Sequence, residues 1–134
     1  MAVIRREVRT LRTSEDVVSA RQMVREWAIA AGFSLVDQTK IVTAASEIAR
    51  NTVLHGGGGD MHLEALNDGP KRGLRLIFSD RGPGIVDVEQ ALRDGFSSGG
   101  GLGLGLGGAR RLVNDFGIRS EPGAGTQVTL TRWK

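Results

Sequence analysis

The spacing of apolar residues changes along the chain and predicts its first two elements. Over residues 2–11, β-branched residues alternate loosely with arginines, which is typical of an edge strand. Over residues 15–31, apolar residues recur every three or four positions, after the capping sequence Thr13–Asp16 and before Gly32. The chain is therefore expected to start with a strand and then a helix.

A second helix is predicted from Ser34–Asp37, which fits a capping box, to the four glycines at 56–59. Inside it, Glu47, Asn51 and His55 are four residues apart, so they drift by only about 40° per step and share one face. The flanking apolar residues would pack this helix on a sheet and leave the polar stripe at the edge of a cavity. Two interpretations stay open: a functional site, or the solvated face of an ordinary amphipathic helix.

The middle of the chain has the period of strands. Residues 61–65 and 74–78 both alternate apolar with polar positions, and the turn sequence at 67–70 lies between them. This pattern predicts an antiparallel hairpin. Its second strand runs directly into Asp80–Gly84, so the carboxylate lies at a strand end.

The remaining elements are shorter. We expect a short helix around residues 87–93, then a helix whose apolar face runs from Ala109 to Phe116 and which ends at Gly117. A final hairpin would join residues 118–121 to residues 126–133. No repeat or linker divides the 134 residues, so one domain is expected.

Composition excludes several classes of function. Hydrophobic residues make up 40% of the chain, and no apolar run approaches the ~18 residues of a membrane helix. The charged amino terminus does not resemble a signal peptide, so we expect a cytoplasmic protein without a membrane partner. There is no cysteine, and the two histidines fit no zinc motif, so a metal held by protein groups alone is not expected. The net charge of +3 is scattered and tyrosine is absent, which argues against nucleic acid as a partner.

Two glycine segments could hold a ligand. Asp80–Gly84 puts a carboxylate beside a backbone tight enough for a flat ligand to approach, although a plain turn capped by the aspartate fits as well. Gly101–Leu106 precedes a helix, so its backbone amides and the positive helix end could bind phosphate. Seven glycines from 99 to 108 cannot stay ordered unaided, which predicts a flexible lid over residues 97–107.

Familiar nucleotide-binding motifs are otherwise missing. Gly103, Gly105 and Gly108 satisfy GxGxxG, but the dinucleotide-binding fingerprint needs a strand just before it, and Phe96–Gly100 does not read as one. The chain has no P-loop and no HRD, DFG or VAIK segment. A nucleotide site would need another architecture.

The ordered motifs resemble the four nucleotide-binding boxes of the GHKL superfamily. They are Glu47-x-x-x-Asn51, Asp80-x-Gly82-x-Gly84, Gly101-Leu102-Gly103-Leu104-Gly105 and Gly123-Ala124-Gly125-Thr126. Within that superfamily, three further runs resemble the RsbT-type switch serine/threonine kinases, which are related to anti-sigma factors. These runs are Val36-Asp37-Gln38, Ser46 to Asn51 and Asp94 to Ser97. One departure is Gly107-Gly108, where we would expect a proline after the glycine-leucine run.

The resemblance implies an α/β fold of the Bergerat type: a two-layer α/β sandwich with helices over one face of a mixed sheet. ATP would lie between the second helix and the lid. Asn51 would give an oxygen to Mg²⁺, Asp80 would accept from the adenine amine, and Glu47 would be the catalytic base. The other implied nucleotide contacts are Gly82, Gly84, Ile85, Gly101, Leu102, Gly103, Leu104, Gly105 and Thr126.

The same resemblance implies protein partners. A kinase of this group would phosphorylate a STAS-domain antagonist or scaffold in a partner-switching stress response. It would then engage a second target, which is a phosphatase, a cyclase or a sigma factor. A non-catalytic anti-sigma factor or activator subunit is the alternative, while the catalytic half of a histidine kinase lacks its phosphoacceptor segment here. His55 has no clear family role, and we favour a structural or rim position.

Overall fold

A computed structural model describes residues 1–93 and 105–134. Two strands end the chain, two strands lie in its middle, and one strand opens it, with helices between them. The elements are β1 (Ala2–Leu11), α1 (Ser14–Ala30), α2 (Leu35–Leu54), β2 (Gly59–Asp68), β3 (Lys71–Asp80), α3 (Val88–Ala91), α4 (Gly105–Arg111), β4 (Asp115–Glu121) and β5 (Gly125–Trp133). The edge strand, the two long helices and both hairpins are thus confirmed.

The strands form one five-stranded sheet in the order β1-β2-β3-β5-β4. Neighbouring strands are antiparallel throughout the described residues, so the expectation of a mixed sheet is wrong. The two-layer α/β sandwich is confirmed, because the long helices pack on this sheet. The connection through α3 and α4 does make β3 and β4 parallel to each other. However, β5 returns from its hairpin between them, so the parallel strands are not neighbours.

The core lies between the sheet and the two long helices. Across three strands, Leu63 lies opposite Leu76, which lies opposite Leu130, and all three side chains are fully buried. Ile41 and Ile48 of α2 are buried in the same cluster. Burial of such side chains contributes roughly 1.5–3 kcal/mol each. The core therefore fixes α2, and with it the face that carries the polar stripe.

The two long helices begin differently. At α1, Thr13 accepts from the Asp16 amide and the Asp16 carboxylate accepts from the Thr13 amide, which is a complete capping box. At α2, Ser34 accepts from the Asp37 amide at 3.1 Å. The expected second half of that box is wrong, because the Asp37 carboxylate accepts from Arg132 Nη2 at 2.6 Å instead. This hydrogen bond holds the pKa of Asp37 below its usual value, and it ties the start of α2 to β5.

The helix predicted from Ala109 to Phe116 is too long. In the structure α4 ends at Arg111 and β4 begins at Asp115. Phe116 pairs with Leu130 and Ile118 with Val128, because the ladder to β5 satisfies the backbone that a longer helix would have used. The apolar spacing fits both a helix and a strand here, and the long-range pairing decides.

The lid expected over residues 97–107 lies outside the described residues as far as residue 104. From Gly105 onward the chain is helical. Gly107, at the departure from the family pattern, packs so closely that a Cβ would overlap the backbone of Leu92. None of the helices in the described part of the chain is long and apolar enough to cross a membrane.

Candidate functional site

A cavity of about 460 Å³ opens between the end of α2, the segment that follows β3, and the start of α4. This size is within the range of small-molecule sites. Six residues singled out in the sequence line it, and they come from four separate parts of the chain: Asn51, Asp80, Gly84, Ile85, Gly105 and Thr126. The fold therefore brings the expected motifs together around one space.

Among the predicted site positions that the structure describes, Gly82 and Glu47 do not line this cavity. Gly82 packs against the backbone of Gly56, so closely that a Cβ at Gly82 would overlap it. Glu47 is buried one turn before Asn51 on α2. The segment 101–104 lies outside the described residues. His55 is found at the rim of the cavity, and its backbone amide caps α2 by donating to the carbonyl of Asn51 at 2.9 Å.

The carboxylate of Asp80 is held by one of its oxygens. Its Oδ1 accepts from the backbone amide of Gly82 at 2.9 Å and from that of Thr126 at 3.2 Å. Its Oδ2 accepts no hydrogen bond from a described residue. Asp80 lines the cavity, and the two hydrogen bonds to Oδ1 fix its carboxylate there. The turn interpretation of Asp80–Gly84 is confirmed by the bond from the Gly82 amide to Oδ1, while the site interpretation stays a prediction.

Close backbone packing surrounds this carboxylate. Gly84 has φ +78°, and a Cβ there would overlap the backbone of Glu121. Gly125 has φ +85°, and a Cβ there would overlap the carbonyl of Asp80. At Gly56 a Cβ would overlap the Asp80 side chain itself. From the sequence, Gly56 is expected only to end α2, since a run of four glycines is typical of a helix stop.

Ser120 joins the two sides of the site, and no motif indicated it. Its hydroxyl accepts from the Ile85 amide at 2.8 Å and lies 2.8 Å from the hydroxyl of Thr126. The serine comes at an ordinary position in the alternation of β4, so its neighbours in sequence give no signal. It fixes the segment after Asp80 against the last hairpin.

Glu47 has two partners among the described residues. Its Oε1 lies 2.6 Å from Arg50 Nη2, and its Oε2 accepts from the Gly105 amide at 3.4 Å. The carboxylate is nearly buried, while 46% of the Arg50 side chain is exposed. The base expected from the sequence is therefore an ion-paired group beside the cavity.

The donor set bears on whether a metal could bind. No group of three or more His, Asp or Glu side chains that could hold a metal is found in the described part of the chain. Asn51 offers one amide oxygen to the cavity. Mg²⁺ is commonly held by one or two protein oxygens together with substrate phosphates and water, so this single oxygen fits a metal that arrives with a nucleotide.

The geometry agrees with comparisons to known proteins. Residues 11–132 match the family model of the histidine kinase-like ATPase domain. The chain is 46% identical over 121 residues to the serine/threonine-protein kinase RsbT of Bacillus subtilis, covering 90% of this chain and 91% of that one. It is 28% identical to the anti-sigma F factor of Thermoanaerobacter sp. (strain X514), covering 95% and 92% of the two chains.

A solved structure of the RsbU and RsbW domains of a Mycobacterium tuberculosis protein superposes with a TM-score of 0.66 at 27% identity. That match covers 97% of this chain and 33% of the other. The mycobacterial sensor histidine kinase MprB superposes at 0.56 with 16% identity, which shows a shared fold. The chain belongs to the histidine kinase-like ATPase domain family, in the group that includes RsbT and the anti-sigma F factors.

Proposed function

We propose that this protein is an ATP-dependent serine/threonine kinase that phosphorylates a STAS-domain protein in a partner-switching pathway. The observation that carries the proposal is the Asp80 carboxylate, which two backbone amides hold at the wall of a cavity that Asn51 also lines. The identity of 46% to a serine/threonine kinase over most of both chains supports it.

Adenine is the part of ATP that the described residues recognise. Its exocyclic amine donates to Asp80 Oδ2, the oxygen without a described partner. Gly84 and Ile85 border the flat base, because a glycine without Cβ lets the base approach the backbone closely. Thr126 supports the same side of the site, because its backbone amide donates a hydrogen bond to Asp80 Oδ1. Gly82 contributes indirectly, because its backbone amide holds the carboxylate of Asp80.

The phosphates extend toward α2 and the start of α4. Asn51 would hold Mg²⁺ through its side-chain oxygen, and the bound cation would supply positive charge to the phosphates. Backbone amides of the glycine-leucine run bind the phosphate oxygens, as amides at a helix start commonly do. This run is Gly101, Leu102, Gly103, Leu104 and Gly105.

The proposed phosphate transfer uses Glu47, which lies one turn before Asn51 on α2. The oxygen of a serine or threonine hydroxyl forms a bond to the γ-phosphorus. The bond from that phosphorus to the β–γ bridging oxygen breaks, and ADP leaves with the electron pair. Glu47 orients the hydroxyl and takes its proton. The resulting products are a phosphoprotein and ADP.

The partners that we propose are those that the family resemblance implies. The acceptor is a STAS-domain antagonist or scaffold, and the second target is a phosphatase, a cyclase or a sigma factor. One surface of the kinase binds the two in turn, because phosphate added to the antagonist places extra negative charge at the contact. The work takes place in the cytoplasm, where ATP is supplied. Simultaneous binding of both partners in a mixing experiment would contradict this alternation.

Phosphotransfer tests the proposal. The protein is incubated with Mg²⁺, ATP labelled at the γ-phosphate and a purified STAS-domain protein from the same genome. We expect label on a serine or threonine of that protein, and none after alanine replaces the labelled residue. ATP binding without transfer to any STAS-domain protein of that genome would instead favour an anti-sigma factor or an activator subunit.

A further inference from the structure

Arg50 is a charged residue next to the site to which the proposed function gives no role. It lies three residues after Glu47 on α2, so the two side chains meet on one helical face. The contact is short, 2.6 Å from Nη2 to Oε1. Arg50 makes no other ion pair with a described residue. Its only described ionic partner is therefore the candidate base.

The two members of this pair differ in burial. Exposed pairs of this spacing contribute only a few tenths of a kcal/mol to a helix, so they say little by themselves. Here the Glu47 side chain is 12% exposed, while that of Arg50 is 46% exposed. A carboxylate that is buried without a partner is costly, whereas a half-exposed guanidinium is not. The pair therefore matters to Glu47 more than to Arg50.

The contact also fixes how the carboxylate is turned. The last torsion of a glutamate side chain is broad, so the plane of a free carboxylate is poorly defined. Arg50 holds Oε1, and the Gly105 amide approaches Oε2 at a longer distance of 3.4 Å. Each carboxylate oxygen can accept more than one hydrogen bond, so both retain capacity for a substrate hydroxyl. Arg50 is the stronger of the two restraints.

We infer that Arg50 is the positioning residue of the kinase reaction: its guanidinium orients the Glu47 carboxylate toward the acceptor hydroxyl. The inference rests on the proposed function and adds to it a residue that acts through Glu47. Arg50 is absent from the cavity lining, so we expect ATP affinity to change little when it is replaced. A lysine in its place keeps the charge but lacks the flat guanidinium, and gives a looser orientation.

The test compares Arg50→Met, Arg50→Lys and Glu47→Gln for labelled phosphate transfer to a STAS-domain protein from the same genome. We expect Arg50→Met to lower the transfer rate by roughly tenfold to a hundredfold, with the ATP dissociation constant within about twofold of wild type. Arg50→Lys should lie between Arg50→Met and wild type. The matched control is Arg21→Met, which removes an exposed arginine of α1 that pairs with no described acid and should leave transfer unchanged.

Three further readouts separate positioning from a general loss of structure. In the double variant Glu47→Gln/Arg50→Met, the rate should equal that of Glu47→Gln alone, because Arg50 acts through the carboxylate. In the free protein, the amide resonance of Gly105 should move in Arg50→Met, since Oε2 is released to rotate. Methylguanidinium added at low concentration should restore part of the activity of Arg50→Ala.

The outcomes are distinct. A wild-type transfer rate in Arg50→Met, or multiplied defects in the double variant, would overturn the inference while leaving the kinase function intact. An unmoved Gly105 resonance would overturn it as well. If the wild type transfers no phosphate although the Gly105 resonance moves in Arg50→Met, the kinase function is wrong and the orientation of Glu47 by Arg50 stands.

Discussion

Asp80 and Thr126 are 46 positions apart in the chain, and the amide of Thr126 donates to Oδ1 of Asp80 at 3.2 Å. This bond joins the end of β3 to the start of β5, two strands that are also neighbours in the sheet. The sheet therefore sets the direction of the carboxylate. Asp80 lines the cavity, and its Oδ2 accepts no hydrogen bond from a described residue.

Replacing Asp80 with asparagine should weaken ATP binding. The amide group either turns a donor toward the adenine amine or offers it only a neutral acceptor, so a charge-assisted bond worth roughly 1.5–3 kcal/mol is lost. Calorimetric titration with Mg-ATP measures the change. Asp115→Asn, on the exposed edge strand β4, is the control and should bind ATP like the wild type. An unchanged affinity in Asp80→Asn would exclude this placement of the adenine.

The last hairpin offers a pair of glycines that differ in one respect. Gly123 and Gly125 have φ of +80° and +85°, so alanine is strained by about 1–2 kcal/mol at either position. A Cβ at Gly123 meets nothing within 4 Å, whereas one at Gly125 overlaps the Asp80 carbonyl. Gly125→Ala should therefore lower the free energy of unfolding by a further 1–3 kcal/mol or so, and should weaken ATP binding. Equal stability of the two variants in urea would contradict the close contact.

Much of the fold could be predicted because local periods agree with the final pairing. The alternation on both sides of the turn at 67–70 predicts the middle of β2 and of β3, although both strands extend further toward the turn than expected. The segment from Ala109 to Phe116 could not be assigned in this way, since its spacing suits a helix and a strand equally. Contacts with β5 decide between them, and those contacts are remote in sequence. The antiparallel sheet has the same origin, because β5 inserts between strands that the local connections leave parallel.

Asn51→Ala should impair nucleotide binding chiefly when Mg²⁺ is present. On the proposed assignment Asn51 would hold Mg²⁺ together with the nucleotide, so its removal should reduce the gain in ATP affinity that Mg²⁺ provides. Titrations with ATP in Mg²⁺ and in a chelator measure that gain. Asn67→Ala, at the far end of β2, serves as the control and should keep the full gain. If Asn51→Ala keeps it too, Asn51 is not the metal ligand.

Glu64 predicts a dependence of stability on pH away from the cavity. Burial raises the pKa of its carboxyl, but hydrogen bonds from Arg75 and Arg6 outweigh burial and hold it below 4.5. A lowered pKa stabilises the fold above the unfolded value, and this stabilisation is lost as pH falls through the folded value. Glu64→Gln should thus cost about 1–3 kcal/mol at neutral pH, and the difference from wild type should shrink below about pH 4.5. Urea unfolding at several pH values measures it, with Glu26→Gln as an exposed control. A constant difference across that range would contradict the assignment.

The candidate site, like the fold, could be predicted from the sequence only in part. Asn51, Asp80 and Thr126 could be found from the sequence, because each belongs to a short motif with a chemical reason for its residue types. Ser120 could not be found, since it acts only through Ile85 and Thr126, which the fold brings to it. The ion pair between Glu47 and Arg50 could not be predicted either. A spacing of three residues is common on helices and does not reveal which partner is buried.

The catalytic role proposed for Glu47 can be separated from the nucleotide-binding role proposed for Asn51. Glu47→Gln keeps size and shape but removes the base, so Mg-ATP affinity should stay within a few fold of wild type. A single-turnover measurement of phosphate transfer from labelled ATP to a STAS-domain protein tests the assignment most directly. We predict that the rate falls by roughly 10²–10⁴ in Glu47→Gln, the range expected for a positioned base. Transfer at the wild-type rate in that variant would contradict the catalytic role of Glu47.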